Sequence, residues 1–176
     1  MPTFTFKNHN IFKSALLSTE DGSVAYEIQN KKSTTTILKP HTREVVAEIR
    51  IKPDKECIIG GKTLELRKEA PAMPFEFTAS NGVTYKWSGS ATDLSEALPQ
   101  LVTTQGEHPV ATFDKRKFRA TFDVHPEATI ITEEILASII YIKMQYNRKF
   151  GSASQASAAA IPGLGNVLLA VSSAAC

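Results

Sequence analysis

The sequence predicts a mainly β protein with one helix: a closed antiparallel barrel of about twelve short strands around a central, hydrophobic C-terminal helix. Three observations predict it. Apolar and polar residues alternate with period two from Thr3 to Val124, interrupted by Gly-containing turns. One stretch, "TEEILASIIYIKMQYN" at 132–147, has helical length and is apolar around most of its circumference. The strands are apolar on one face only, as in a sheet wetted on its other side. A helix greasy all round needs cover all round, and one-faced strands supply it by closing round the helix. About eight strands leave an interior that side chains fill; twelve leave a hollow, for which a helix about 10 Å across is a suitable plug.

The elements follow in order. "TFTFK" sends Phe4 and Phe6 inward and its threonines outward. "SALLSTEDGSVAYEIQN" is a hairpin turning at Asp21-Gly22, with Val24, Tyr26 and Ile28 on one face of its second arm. "TTTIL" adds a strand. "REVVAEIRIK" places Val45, Ala47, Ile49 and Ile51 on one face and Glu44, Glu48, Arg50 and Lys52 on the other, Val46 standing out of phase. "CIIGGKTLEL" is two arms around Gly60-Gly61, and "FEFTASNGVTYKW" two arms around Asn81-Gly82. "LVTTQGEHPVATFD" is a further hairpin, and "KFRATFDV" alternates most cleanly of all. His125-Pro126 stops the last strand, because proline cannot donate to a ladder. Thr132 is the expected helix N-cap, with Glu133 and Glu134 where the helix dipole favours negative charge and Lys143, Arg148 and Lys149 at the opposite end.

The chain of 176 residues suffices for one domain with a real core. We assign residues 1–150 to the barrel, with the buried helix at 132–147. Residues 151–176 are an uncharged, Ala/Ser/Gly-rich flexible tail outside it. Within the tail, "IPGLGNVLLAV" is apolar and broken by Pro162, Gly163, Gly165 and Asn166; it reads as low complexity, as a membrane contact, or as a docking segment for a partner groove. Net charge is only +2, so no nucleic acid is expected. Two cysteines, Cys57 and the terminal Cys176, make no disulfide framework. The N-terminus lacks an apolar run of signal-peptide length and no stretch reaches about 18 apolar residues, so no transmembrane helix is expected. The expected location is intracellular, cytoplasmic or peripheral at a membrane.

The ordered series "SVAYEI", "TTTILK", "REVVAEIRI", "GGKTLELRK", "FEFTASNGVTYKW", "PVATFD" and "ITEEILASIIYIKMQ" resembles the tubby-like barrel superfamily. That superfamily includes tubby C-terminal domains, phospholipid scramblases and LURP-one-related proteins. More closely, the chain is similar to a mushroom-type fungal family of unassigned function. The resemblance covers residues 3–149 and implies a twelve-stranded barrel around a hydrophobic helix. Tubby domains bind phosphoinositides through cations on a Gly-Lys-Leu-Arg piece of strand. The matching piece is Ala47-Glu48-Ile49-Arg50, so the resemblance implies Arg50 as a phosphate-binding residue, with Lys52 two residues on; Glu48 stands where the family carries lysine.

The residues themselves add one basic cluster, "DKRKFR", with Lys115, Arg116, Lys117 and Arg119. Lysines and arginines at an anionic membrane contribute about 1 kcal/mol each, so this cluster supports weak, salt-sensitive attachment. It also fits a charged turn that keeps the protein soluble. Catalytic patterns are absent from the sequence: no Gly-x-Ser-x-Gly elbow, no phosphate-cradling loop, and His9, His41, His108 and His125 lie at no metal-ligand spacing. Cys57 opens an apolar strand and reads as a core residue. The expectation is a non-enzymatic binding module without cofactor or metal, its partner an anionic phospholipid. The alternative is a soluble scaffold that binds an unknown protein.

Overall fold

The structure is a computed structural model and describes residues 1–51, 55–68, 75–88, 99–106, 108–114 and 119–158. Thirteen strands form one antiparallel sheet: β1 (Thr3–Phe6), β2 (Ser14–Ser18), β3 (Val24–Lys31), β4 (Thr34–Leu38), β5 (Val45–Arg50), β6 (Glu56–Ile59), β7 (Lys62–Thr63), β8 (Arg67–Lys68), β9 (Phe75–Thr78), β10 (Thr84–Ser88), β11 (Gln100–Thr103), β12 (Pro109–Asp114) and β13 (Thr121–Val124). A 3-10 segment, Pro126–Ile131, leads into the single α-helix, α1 (Thr132–Ala158). The strand order is β7-β6-β5-β4-β3-β2-β1-β13-β12-β11-β10-β9-β8. Every neighbour but one is therefore a chain neighbour; β1 beside β13 is the exception, and it joins the two halves.

Turn chemistry sets the hairpins. Gly60 and Gly61 both take positive φ, 54° and 80°, the backbone that a two-residue turn between right-twisted strands requires. The β9–β10 connection is one residue longer: Ala79 bonds Val83, and Gly82 at φ 79° closes the loop.

One predicted face is corrected at β5. Ile37 pairs with Ala47 but Leu38 pairs with Val45, so Val46 is an extra residue in a β-bulge. The bulge shifts the alternation by one. Val46 and Ala47 are both buried, whereas Val45, expected inward, is 51% exposed.

The two edge strands are consecutive in the chain, separated by Leu64–Leu66, and run in the same direction. Residues 62–64 bond β6: Thr63 pairs with Ile58, and the Leu64 amide donates to the Cys57 carbonyl at 2.7 Å. Residues 67–68 bond β9, Arg67 opposite Glu76 and Lys68 opposite Phe75. One seven-residue stretch thus touches both edges of the sheet.

The helix is buried on every side over residues 135–143, two and a half turns with no exposed face. Its contacts come from strands far apart in the sheet. It packs on β5 and β6, the Trp87 indole of β10 donates to Ser138 Oγ at 2.9 Å, and Tyr141 meets Phe75 of β9 edge-on at 6.4 Å. Lys143 lies 4.4 Å over the Phe113 ring of β12. The sheet therefore curves around α1, and the core is the space between them, filled by Phe6, Leu16, Ile37, Ile49, Leu101 and Phe122 from the strands.

Two expectations for the helix are corrected. Thr132 does not cap it: the residue is already helical and its hydroxyl donates backwards to the Thr129 carbonyl at 2.8 Å, because the 3-10 segment runs straight into α1. The helix also outruns 147, continuing to Ala158. Alanine is the strongest helix former, and the first proline after Pro126 is Pro162. Residues 151–158, expected in the tail, belong to α1, and residues 159–176 lie outside the described residues.

Candidate functional site

Antiparallel alternation sends successive connections to opposite ends of the sheet. The end at which α1 begins holds the β2–β3, β4–β5, β6–β7, β9–β10 and β11–β12 connections; the end toward which α1 runs holds the β1–β2, β3–β4, β5–β6, β8–β9, β10–β11 and β12–β13 connections, residues 64–66 joining two strands of one direction. The side-chain ties confirm that direction, from Glu133 and Glu134 at the first end to Lys143 near the second.

The two ends differ in charge. At the helix-exit end, the β1–β2 connection brings Lys7 and Lys13, the β3–β4 turn Lys31 and Lys32, and the β5–β6 connection Arg50 and Lys55, while Arg119 precedes β13. Among the described connections there, the carboxylates are Glu56 and Asp114. The helix-entry end carries Glu20, Asp21, Glu44, Glu127, Glu133 and Glu134 against Lys39, Arg43 and Lys62. Behind a net charge of +2, the charges on the described connections are thus polarised along the helix.

The exit end also has a cleft of about 590 Å³, lined by Lys7, Lys13 and Lys31 together with Asn8, Gln29 and Asn30. Glu27 is the one acid in its lining, and the Arg43 guanidinium holds that carboxylate at 3.0 Å. Three ammonium groups suit an anion with several oxygens, while the Asn8, Gln29 and Asn30 amides already donate to the Lys13 carbonyl, Glu27 and Thr35. No short motif announces this cleft, because its lysines come from three places in the chain. Counting strand reversals is the signal that finds it.

Of the residues singled out from sequence, Arg50 is exposed at the end of β5. Its Nε meets Glu48 at 2.7 Å and its guanidinium meets Glu56 at 3.5 Å, so two carboxylates already compete for it. Arg119 is exposed at the same end. Lys52, Lys115, Arg116 and Lys117 lie outside the described residues, within the connections that leave β5 and β12.

At the entry end, Glu133 and Glu134 do more than face the dipole. Glu133 meets the Lys39 ammonium at 2.9 Å, and Lys39 also meets Glu44 at 3.5 Å. Glu134 accepts from the Ser80 amide in the β9–β10 turn at 2.9 Å. The first turn of α1 is thereby tied to β4 and β10, from opposite halves of the sheet. Beside it a cleft of about 460 Å³ is lined by Phe4, Tyr26, Lys39, Pro40, His41 and neighbouring threonines. Burial, with Glu133 adding to it, pushes the Tyr26 phenol up to about 12.

Among the described residues, no group of three or more His, Cys, Asp or Glu could hold a metal ion. No helix there is long and apolar enough to cross a membrane. Cys57 is buried in β6, and burial pushes its thiol up to about 12. The sign of its linkage is fixed. An unfolded cysteine ionises near pH 9 and the folded one does not, so the native state binds more protons between about pH 9 and 12 and stability falls with rising pH. Tyr26 acts in the same direction from about pH 10. We expect melting temperature to drop steadily above pH 9, with Cys57→Ala flattening part of that slope. Peptide-resolved mass spectrometry at pH 8 should find Cys57 unalkylated by iodoacetamide until denaturant is added. Rapid labelling of the native protein would contradict its burial.

Sheet, helix and charged ends define an antiparallel β protein wrapped around its own C-terminal helix, with opposite charge at its two ends. The chain belongs to DUF6593, a family of unknown function, whose model matches residues 9–148. No curated protein and no solved structure matches it.

Proposed function

We propose that this protein is a non-enzymatic binding module that docks its helix-exit end on anionic phospholipid. One observation carries the reading: strand alternation gathers the scattered cations at the end toward which α1 runs, and makes a lysine cleft there. The phosphate-binding role that tubby-like resemblance implies for Arg50 belongs to this same end. The closed tubby-like barrel is part of the proposal. It is supported by the all-round burial of residues 135–143 of α1 and by residues 62–68, which bond β6 with one half and β9 with the other. Treated as one shared strand, that stretch makes the count twelve and closes the ring. The membrane would then meet Lys7, Lys13, Lys31 and Arg119 together.

Co-sedimentation with vesicles tests this. The full chain should bind phosphatidylcholine vesicles containing phosphatidylserine or phosphoinositide, not phosphatidylcholine alone, and should release at high salt as surface charges are screened. At about 1 kcal/mol per cation, each of Lys13→Gln, Lys31→Gln and Lys117→Gln should lower the partition coefficient about fivefold. Equal binding to neutral vesicles would end the anionic-headgroup reading, and binding to none would leave the protein-binding scaffold.

A further inference from the structure

The acidic entry end has a second property. The exposed large hydrophobic side chains among the described residues are Met1, Val45, Val83 and Ile130, and all four lie there. Met1 precedes β1 beside the end of β13, Val45 opens β5, Val83 precedes β10, and Ile130, 82% exposed, sits in the 3-10 segment before α1. Ile130 itself lines a cleft of about 420 Å³, with the half-buried Ile59 and Leu64 beside Thr63, Thr78 and Ser80, and with Glu133 and Glu134 outnumbering Lys62. A nearly fully exposed Ile130 on the wall of a part-apolar cleft, at an acidic end, suits an apolar segment preceded by cations.

This chain carries such a segment at its other end. Ile161–Val171, "IPGLGNVLLAV", is uncharged, and the last charged residues before it are Arg148 and Lys149. The run as a whole cannot seat in the cleft of its own copy. The helix of 27 residues is about 40 Å long at 1.5 Å per residue, and it leads away from the cleft. Fully stretched at about 3.4 Å per residue, the chain beyond Ala158 puts Ile161 only about 10 Å back and Val171 about 44 Å back. The middle of the run falls well short of Ile130, before any allowance for a path around the outside of the sheet.

We propose that the entry end of one copy receives residues 161–171 of a second copy in the cleft beside Ile130, so that copies associate head to tail. The basic exit end of the second copy then lies against the acidic end of the first. Such contacts are heterologous: each copy offers one donor and one acceptor, and association does not stop at two. The proposal is independent of lipid and is measured without it.

Sedimentation velocity on the full chain across roughly 1–200 µM, which brackets micromolar affinity, is the test. The weight-average mass should rise beyond two copies, and less so at high salt. Ile130→Glu changes an exposed side chain, and Leu168→Asp/Leu169→Asp changes the donor run; each variant alone should stay a monomer with an unchanged circular dichroism spectrum. Mixed, they should form a species of two copies and no more, because one keeps an intact donor and the other an intact acceptor. A full chain that stays monomeric throughout would overturn the proposal. So would undiminished association of either variant alone, or a mixture that stays monomeric.

Discussion

Ile139→Asp abolishes cooperative folding. Ile139 is 1% exposed at the centre of the stretch of α1 that is buried on every side. The substitution forfeits about 2–3 kcal/mol of apolar burial. It also puts a carboxylate in the core, where the Ser138 hydroxyl is already engaged with Trp87 and the Ile135 carbonyl, and where the cation one turn on, Lys143, is already held over the Phe113 ring. An uncompensated buried charge costs roughly 3–5 kcal/mol more, and escape by protonation still leaves a polar group without a partner. Together these approach the whole stability of an ordinary domain, about 5–15 kcal/mol. Ile139→Val, which keeps the shape, should cost only about 1 kcal/mol. Far-UV circular dichroism melts of the two variants separate the effects. A soluble Ile139→Asp protein that melts cooperatively near the parent temperature would mean that α1 has a free face.

The second large effect is at Trp87, the single tryptophan of the chain. Its ring is buried between sheet and helix, and its N–H is the polar tie between β10 and the middle of α1. Trp87→Ala should destabilise by about 3–5 kcal/mol through the cavity it leaves. Ser138→Ala should cost about 1–3 kcal/mol, because the indole N–H then loses its acceptor in a dry site. Since the residues act as a pair, the double substitution should cost less than the sum. Urea unfolding followed by circular dichroism measures all three, fluorescence being lost with the tryptophan. Additive costs would show that the hydrogen bond contributes nothing, and a Trp87→Ala protein within 1 kcal/mol of the parent would show that the core there collapses freely.

Much of the architecture was legible beforehand because it rests on local chemistry. Asn81-Gly82 and Gly60-Gly61 demand turns through their own backbone preferences, and the strands announce themselves by alternation. The all-round greasiness of 135–142 anticipated its burial on every side. The exceptions have physical causes. Val46 looked out of phase because a bulge takes up one residue there, and a bulge is set by the partner strand. Thr132 has the right residue type for a cap, yet the chain reaches it from a 3-10 turn, so no orphan amide awaited its hydroxyl. The composition changes at 151, where the sequence predicts a tail, yet the alanines there favour continuing the helix, which runs to Ala158.

The candidate site divides the same way. Lys115, Arg116, Lys117 and Arg119 are adjacent in sequence, so their cluster could be read directly; Lys7, Lys13 and Lys31 are not, and only the pairing of β1, β2 and β3 brings them to one cleft. Glu133 and Glu134 carried a dipole signal, but their partners Lys39 and the Ser80 amide lie 94 and 54 positions away. The sequence by itself determined strands, turns, helix and the apolar faces, because those follow from the preferences of residues within a few positions of one another. The tertiary structure alone decided which end of the molecule each charge occupies, because that depends on how many times the chain reverses between one charge and the next.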